Sequence, residues 1–121
     1  MPSDARDPAY LWDMRESARD AVRILGRLDL AGFLRPDQET VRLAVERKLE
    51  ILGEAARRVS DALRQAHPEV PWKDIIGLRN VISHQYDKVN YAEVFRIVRD
   101  RLPGLIRTLD PLVPPLPPEG D

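Results

Sequence analysis

The chain has 121 residues, enough for one domain with one ordinary core, and it contains no cysteine. That excludes a disulfide framework, a thiolate zinc site and a cysteine nucleophile. Nineteen Lys and Arg balance twenty Asp and Glu for a net charge of -1, which argues against a generally basic nucleic-acid binder but leaves room for a local basic patch. No apolar run reaches membrane-spanning length and the first residues lack a signal-peptide pattern, so a cytoplasmic protein without a membrane partner is expected.

In chain order, residues 1–7 read as an N-terminal arm, and Asp7-Pro8 as an N-cap followed by proline in the first turn. Leu11, Met14, Ala18, Ala21, Leu25 and Leu28 then recur at three and four, the apolar stripe of an amphipathic helix. The opposite side carries Arg15, Arg19, Arg23 and Arg27; with Asp13, Glu16 and Asp20 beside them, a solvated face fits better than an RNA-binding ridge. Gly26, Asp29, Gly32 and Pro36 interrupt the pattern, and Leu30, Phe33 and Leu34 between them predict a short helix or hydrophobic turn capping the core.

Asp37 is expected to open the longest helix, in which Val41, Val45, Leu49, Leu52, Ala56, Val59 and Leu63 repeat as far as about Ala66. A second stripe, Ala44, Ile51, Ala55 and Ala62, marks this helix as central or as packed against another subunit. Gly53-Glu54-Ala55 reads as a place for close helix approach, with Glu54 as a catalytic acid the lesser alternative. Pro68 stops the helix, and His67 to Trp72 forms a stiff extended connection in which His67 is structural. Pro71 then starts the helix that carries the most unusual polar residues of the chain. Asn90 with Glu93 reads as a capping box that opens a last helix from Tyr91 to about Leu109, with Val94, Val98, Leu102, Leu105 and Leu109 inward and Pro103 as a kink. Residues 111–121 hold five prolines and no periodicity, a flexible tail. No strand-like alternation appears, so the expected fold is all-α: an antiparallel bundle of four main helices plus a short extra one over residues 8–110.

Arg79, Asn80, Ser83, His84 and Tyr86 stand where a structural helix needs nothing polar, in the pattern R-x-x-x-x-H-x-Y. At about 100° per residue Arg79 and Tyr86 share a line while His84 lies roughly 140° round from Arg79. A straight helix does not gather the three, so either the helix ends near His84 or a second copy of the chain completes the group. The residue types suit metal-free cleavage of a phosphodiester, which needs proton transfer and positive donors at phosphorus. An imidazole titrates near neutrality, and a guanidinium offers a planar fork matched to phosphate oxygens. Asn80 and Ser83 suit orientation of the imidazole or the phosphate, and Tyr86 can stack a base or accept a nucleotidyl group. The plainer alternative makes His84 a partner of the helix C-terminus and Tyr86 a buried ring.

Three blocks in this order, Leu49 to Ala56, His67 to Trp72 and Ile75 to Tyr86, resemble the HepT-like group of HEPN-domain proteins, over most of residues 8 to 109. The resemblance implies a four- or five-helix bundle, a homodimer with two motifs facing one cleft, and a metal-independent endoribonuclease toxin without a cofactor. It implies Arg79 and His84 as the catalytic pair acting on single-stranded RNA. It also implies a nucleotidyltransferase antitoxin that attaches AMP to Tyr86. With one motif histidine per chain, separate acid and base groups require two subunits. A non-catalytic module that docks the nucleotidyltransferase is the alternative.

Overall fold

The computed structural model describes residues 5–82 and 89–115. Among them the fold is all-α. The two long helices are α1, Asp7–Leu25, and α3, Glu39–Arg58, separated by the short α2, Leu30–Phe33, and a 3-10 turn, Pro36–Gln38. α4, Asp61–Ala66, α5, Trp72–Ile76, and α6, Leu78–Ile82, follow. The chain closes with α7, Tyr91–Arg96, a π-helical turn, Ile97–Arg101, and α8, Leu102–Leu109.

The apolar stripes place these helices. Leu11, Met14, Ala18, Ala21 and Leu25 of α1 face Val45, Leu49, Leu52 and Ala56 of α3, and Val94, Val98, Leu102, Leu105 and Leu109 close the core from the C-terminal side; all are buried. Polar ties give the directions. Asp7 meets Ser60 and Asp20 meets Lys48, so α1 and α3 run antiparallel. Arg99 donates to the Gly26 carbonyl while Asp110 meets Arg15 and Arg19, so the last helix also runs antiparallel to α1. The expected short cap is present: Phe33 is fully buried, its ring 6.1 Å edge-on from Tyr91 and 5.9 Å from Phe95. Arg42 fastens this turn to α3 by donating to the Phe33 and Arg35 carbonyls, both at 2.7 Å.

Four local expectations are corrected. Asp7 does not cap α1; Arg6 holds that position, and the Asp7 carboxylate, 1% exposed, accepts from the Ser60 backbone N–H at 2.9 Å and from Ser60 Oγ at 2.6 Å. Asp37 lies in the 3-10 turn, paired with Arg35, so α3 begins at Glu39. The long helix does not continue to Ala66. Val59 turns extended at its end, and Ser60 caps a new helix, its Oγ accepting from the Leu63 N–H at 3.2 Å. The apolar repeat nevertheless runs on through Val59 and Leu63, because both sides of the break pack against the same core. The helix after Pro71 is divided at Gly77 into α5 and α6.

The last helix starts as expected, with the Asn90 side chain accepting from the Glu93 N–H at 3.1 Å. Pro103 is absorbed upstream of itself. The Leu102 N–H reaches back five residues to the Ile97 carbonyl, and this π-type step leaves Pro103 in the first turn of α8, where no intrahelical donor is required. Beyond Leu109 a 3-10 turn, Asp110–Leu112, leads to Val113, which is buried against the core.

The exposed ion pairs of Arg19 and Arg23 on α1 contribute at most about 1 kcal/mol each, whereas the Asp7–Ser60 link holds a buried carboxylate. Ser60→Ala removes a helix cap and one of that carboxylate's donors together. It is expected to lower the unfolding free energy by about 1–3 kcal/mol in a urea titration; an unchanged midpoint and slope would contradict this assignment.

Candidate functional site

The motif begins on α6, and α6 lies where it does because of Gly53. A Cβ at that position would stand 3.1 Å from the Ile75 carbonyl oxygen and 3.8 Å from Leu78 Cβ. The small residue on α3 thus lets α5 and α6 settle onto it, as the sequence suggested. Leu78 and Ile82 turn inward and are buried, which leaves the intervening Arg79 and Asn80 exposed. The helix connection upstream is fixed by Trp72, whose indole N–H donates to the His67 carbonyl at 2.9 Å, while His67 Nδ1 lies 3.0 Å from Glu69. His67 thereby takes the structural role expected of it.

Arg79 lines a groove of about 390 Å³ between α6 and α3. α3 contributes Arg47, Glu50, Glu54 and Arg57 to it, one helix face at spacings of three and four, with Gly53 at the closest approach and Ile76 beside Arg79. Glu54 accepts from Arg57 at 2.7 Å and from Arg58 at 3.1 Å. The Arg57 guanidinium, and after it Arg58, hold the Glu54 carboxyl below the usual carboxylate range. Glu54 is thus engaged by two neighbouring arginines of its own helix, an arrangement that fits the packing role of the Gly53-Glu54-Ala55 stretch.

Of the five site residues expected from the sequence, the structure places Arg79 and Asn80 next to each other on α6, with the Asn80 N–H donating to the Gly77 carbonyl at 2.9 Å. Ser83, His84 and Tyr86 lie outside the described residues. Both flanks of that segment are anchored: Ile82 is buried on one side, and on the other Val89 packs against the core and the Tyr91 hydroxyl donates to Glu46 on α3 at 2.6 Å. Arg47, Glu50 and Arg57 line the groove beside Arg79, and the sequence reading did not single them out. Their signal was available in the three-and-four spacing of these polar residues along α3.

Three arginines of the basic ridge expected on α1 are paired with carboxylates. Arg15 and Arg19 are engaged by Glu16 and Asp110, and Arg23 by Asp20. Among the described residues no helix is long and apolar enough to cross a membrane.

Two predictions test the geometry that carries the groove. Gly53→Val forces a branched side chain against the Ile75 carbonyl and is expected to cost about 1–3 kcal/mol of stability, read by chemical denaturation; full stability would contradict the close approach. Burial, and then the hydrogen bond to Glu46, push the Tyr91 phenol up to about 12. A raised pKa in the folded state means a stabilising contribution that is complete below the ordinary phenol value of 10.0 and is lost as pH rises toward about 12. Tyr91→Phe is therefore expected to flatten the alkaline loss of stability across that window, and parallel profiles for the two proteins would contradict it.

The comparisons with known proteins agree with this reading of the fold. The family model described as Ribonuclease HepT-like matches residues 14–112. A Methanocaldococcus jannaschii protein provisionally named RNase MJ1380 is 35% identical over 102 residues, covering 84% of this chain and 92% of its own. A second protein of that organism, provisionally named RNase MJ0127, is 30% identical over 105 residues, covering 87% of this chain and 85% of its own. A Thermococcus cleftensis protein provisionally named ribonuclease HepT is 30% identical over 96 residues, covering 79% and 86%. No solved structure matches the chain significantly. With the matched region running from the middle of α1 past α8 and including the whole of the motif, the chain belongs to the HepT-like ribonuclease family.

Proposed function

We propose that this chain is a metal-independent endoribonuclease of the cytoplasm, the toxin of a toxin–antitoxin pair, that cleaves single-stranded RNA with Arg79 and His84. The observation that carries the reading is the position of Arg79 on a groove it shares with Arg47 and Arg57, inside the stretch matched by the ribonuclease family.

In the proposed reaction the ribose 2'-oxygen attacks the adjacent phosphorus and the 5'-oxygen of the next nucleotide leaves. The 2'-hydroxyl proton passes to a base and the departing oxygen takes a proton from an acid, so the products are a 2',3'-cyclic phosphate and a free 5'-hydroxyl. An imidazole can serve in either half of this exchange at neutral pH. Arg79 supplies charged donors to the phosphoryl oxygens, where negative charge builds up in the transition state. Asn80 and Ser83 assist by orienting the imidazole or the phosphate. A homodimer with the two motifs facing one cleft provides one histidine as base and the other as acid.

Tyr86 is the proposed point of control. A nucleotidyltransferase antitoxin joins the phenol oxygen to the α-phosphorus of ATP, with release of pyrophosphate and of the phenol proton. The resulting adenylyl group brings a fixed negative charge and a bulky base beside the catalytic pair, where an RNA phosphate must bind.

The test is incubation of the purified protein, shown by mass spectrometry to be free of AMP, with single-stranded RNA in EDTA, followed by analysis of the product ends. Cyclic phosphate ends from the parent are expected. His84→Ala should lower the rate by about 10²–10⁴-fold, and Arg79→Ala by about 10²–10³-fold. Cleavage that survives His84→Ala would overturn the assignment of the catalytic pair. No cleavage by the AMP-free parent would point instead to a module that only docks the nucleotidyltransferase.

A further inference from the structure

Arg47 on α3 stands apart from most arginines of this fold. Arg15, Arg19, Arg23, Arg35, Arg57, Arg58, Arg64 and Arg96 are held by carboxylates. Arg42 and Arg99 donate to backbone carbonyls. Arg47 is exposed and has no ion pair or side-chain hydrogen bond with the described residues, yet it lines the same groove as Arg79. Glu50, one helical turn on, is likewise exposed and without such a partner. Arg57 and Glu54 are paired with each other, so Arg47 and Glu50 are the charged side chains of this groove that no carboxylate or arginine among the described residues engages.

A second groove of about 210 Å³ lies on the other side of the same α3 face, toward Tyr10 and Asp13, and Arg47 borders both. There Asp13, Glu50 and Glu54 outnumber Arg47 and Arg58, whereas on the Arg79 side three arginines face two glutamates. Arg47 thus stands on the boundary between a lining richer in carboxylates toward α1 and one richer in arginines toward α6.

We propose that Arg47 is a phosphate-binding residue that seats the RNA strand in the Arg79 groove, at a phosphodiester other than the one cleaved, and that Glu50 opposes it and limits affinity. The inference rests on the ribonuclease reading and adds α3 to the substrate surface. Arg47 holds the strand; it does not take part in the proton transfers.

The test uses full-length protein carrying His84→Ala, so that the RNA stays intact, and a fluorescently labelled single-stranded RNA followed by anisotropy from low to moderate salt. Loss of one phosphate contact should reduce the slope of log K against log salt by about 0.7. Arg47→Ala is expected to show that reduction with weaker binding, and Arg47→Lys to keep the parent slope. Glu50→Gln is expected to bind more tightly than the parent, an opposite sign that a merely structural role for this helix face does not produce. Arg27→Ala removes an equal charge from an exposed arginine just past α1 that is not among the groove's lining residues, and should match the parent. A parent-like slope for Arg47→Ala, weaker binding by Glu50→Gln, or an equal loss in Arg27→Ala would each overturn the proposal while leaving the ribonuclease reading standing. No RNA binding by the parent would overturn both. Far-ultraviolet circular dichroism of each variant separates loss of the contact from loss of the fold.

Discussion

The feature on which the candidate site depends is the approach of α5 and α6 to α3 at Gly53, where a Cβ would lie 3.1 Å from the Ile75 carbonyl. α3 is the central helix: α1 covers one side of it, and the elements before and after the motif cover the other. Because Leu78 and Ile82 are buried in that seam, Arg79 is left on its rim beside the polar face of α3. A larger residue at position 53 would separate the two helices by the width of a side chain and pull the motif arginine away from Arg47 and Arg57. Packing in the core and charge at the surface are thus set by the same contact.

The distribution of charge follows from which carboxylates are within reach of which arginines. On α1 the acidic residues sit one or three positions from the arginines they meet and are joined by Asp110 from the C-terminal turn, so Arg15, Arg19 and Arg23 are paired where they stand. On α3 the pairing is incomplete. Glu54 draws on both Arg57 and Arg58, and nothing among the described residues engages Arg47. A chain with a net charge of -1 can in this way present an unpaired arginine beside the motif without being basic as a whole. The anchors at Ile82 and Tyr91 matter for the same reason, since they tie both ends of the segment bearing Ser83, His84 and Tyr86 to the core and to α3.

Much of this was legible in the sequence because helix burial has a period. The stripes of α1, α3 and the last helix, the small cap around Phe33, and the Asn90 cap are all found in the structure. What escaped the period were the interruptions. The break at Ser60 keeps the apolar repeat in phase across it, and the buried carboxylate that Ser60 meets there, Asp7, is fifty-three residues away, where no local pattern reveals it. Pro103 announced a distortion, but the π-type step that accommodates it lies upstream. At the candidate site, the motif pointed to Arg79 and Asn80 from residue type and spacing, while the nearness of Arg47, Glu50 and Arg57 to Arg79 became visible only once α6 was laid against α3.

The central claim is that RNA lies along the α3–α6 groove. Photo-crosslinking of a 4-thiouridine-substituted single-stranded RNA to the intact protein, with the attachment sites read by mass spectrometry, tests it most directly. Crosslinks confined to peptides spanning 47–57 and 76–86 are the predicted result. Crosslinks along the α1 face bearing Arg15, Arg19 and Arg23, with none on α3 or α6, would contradict it.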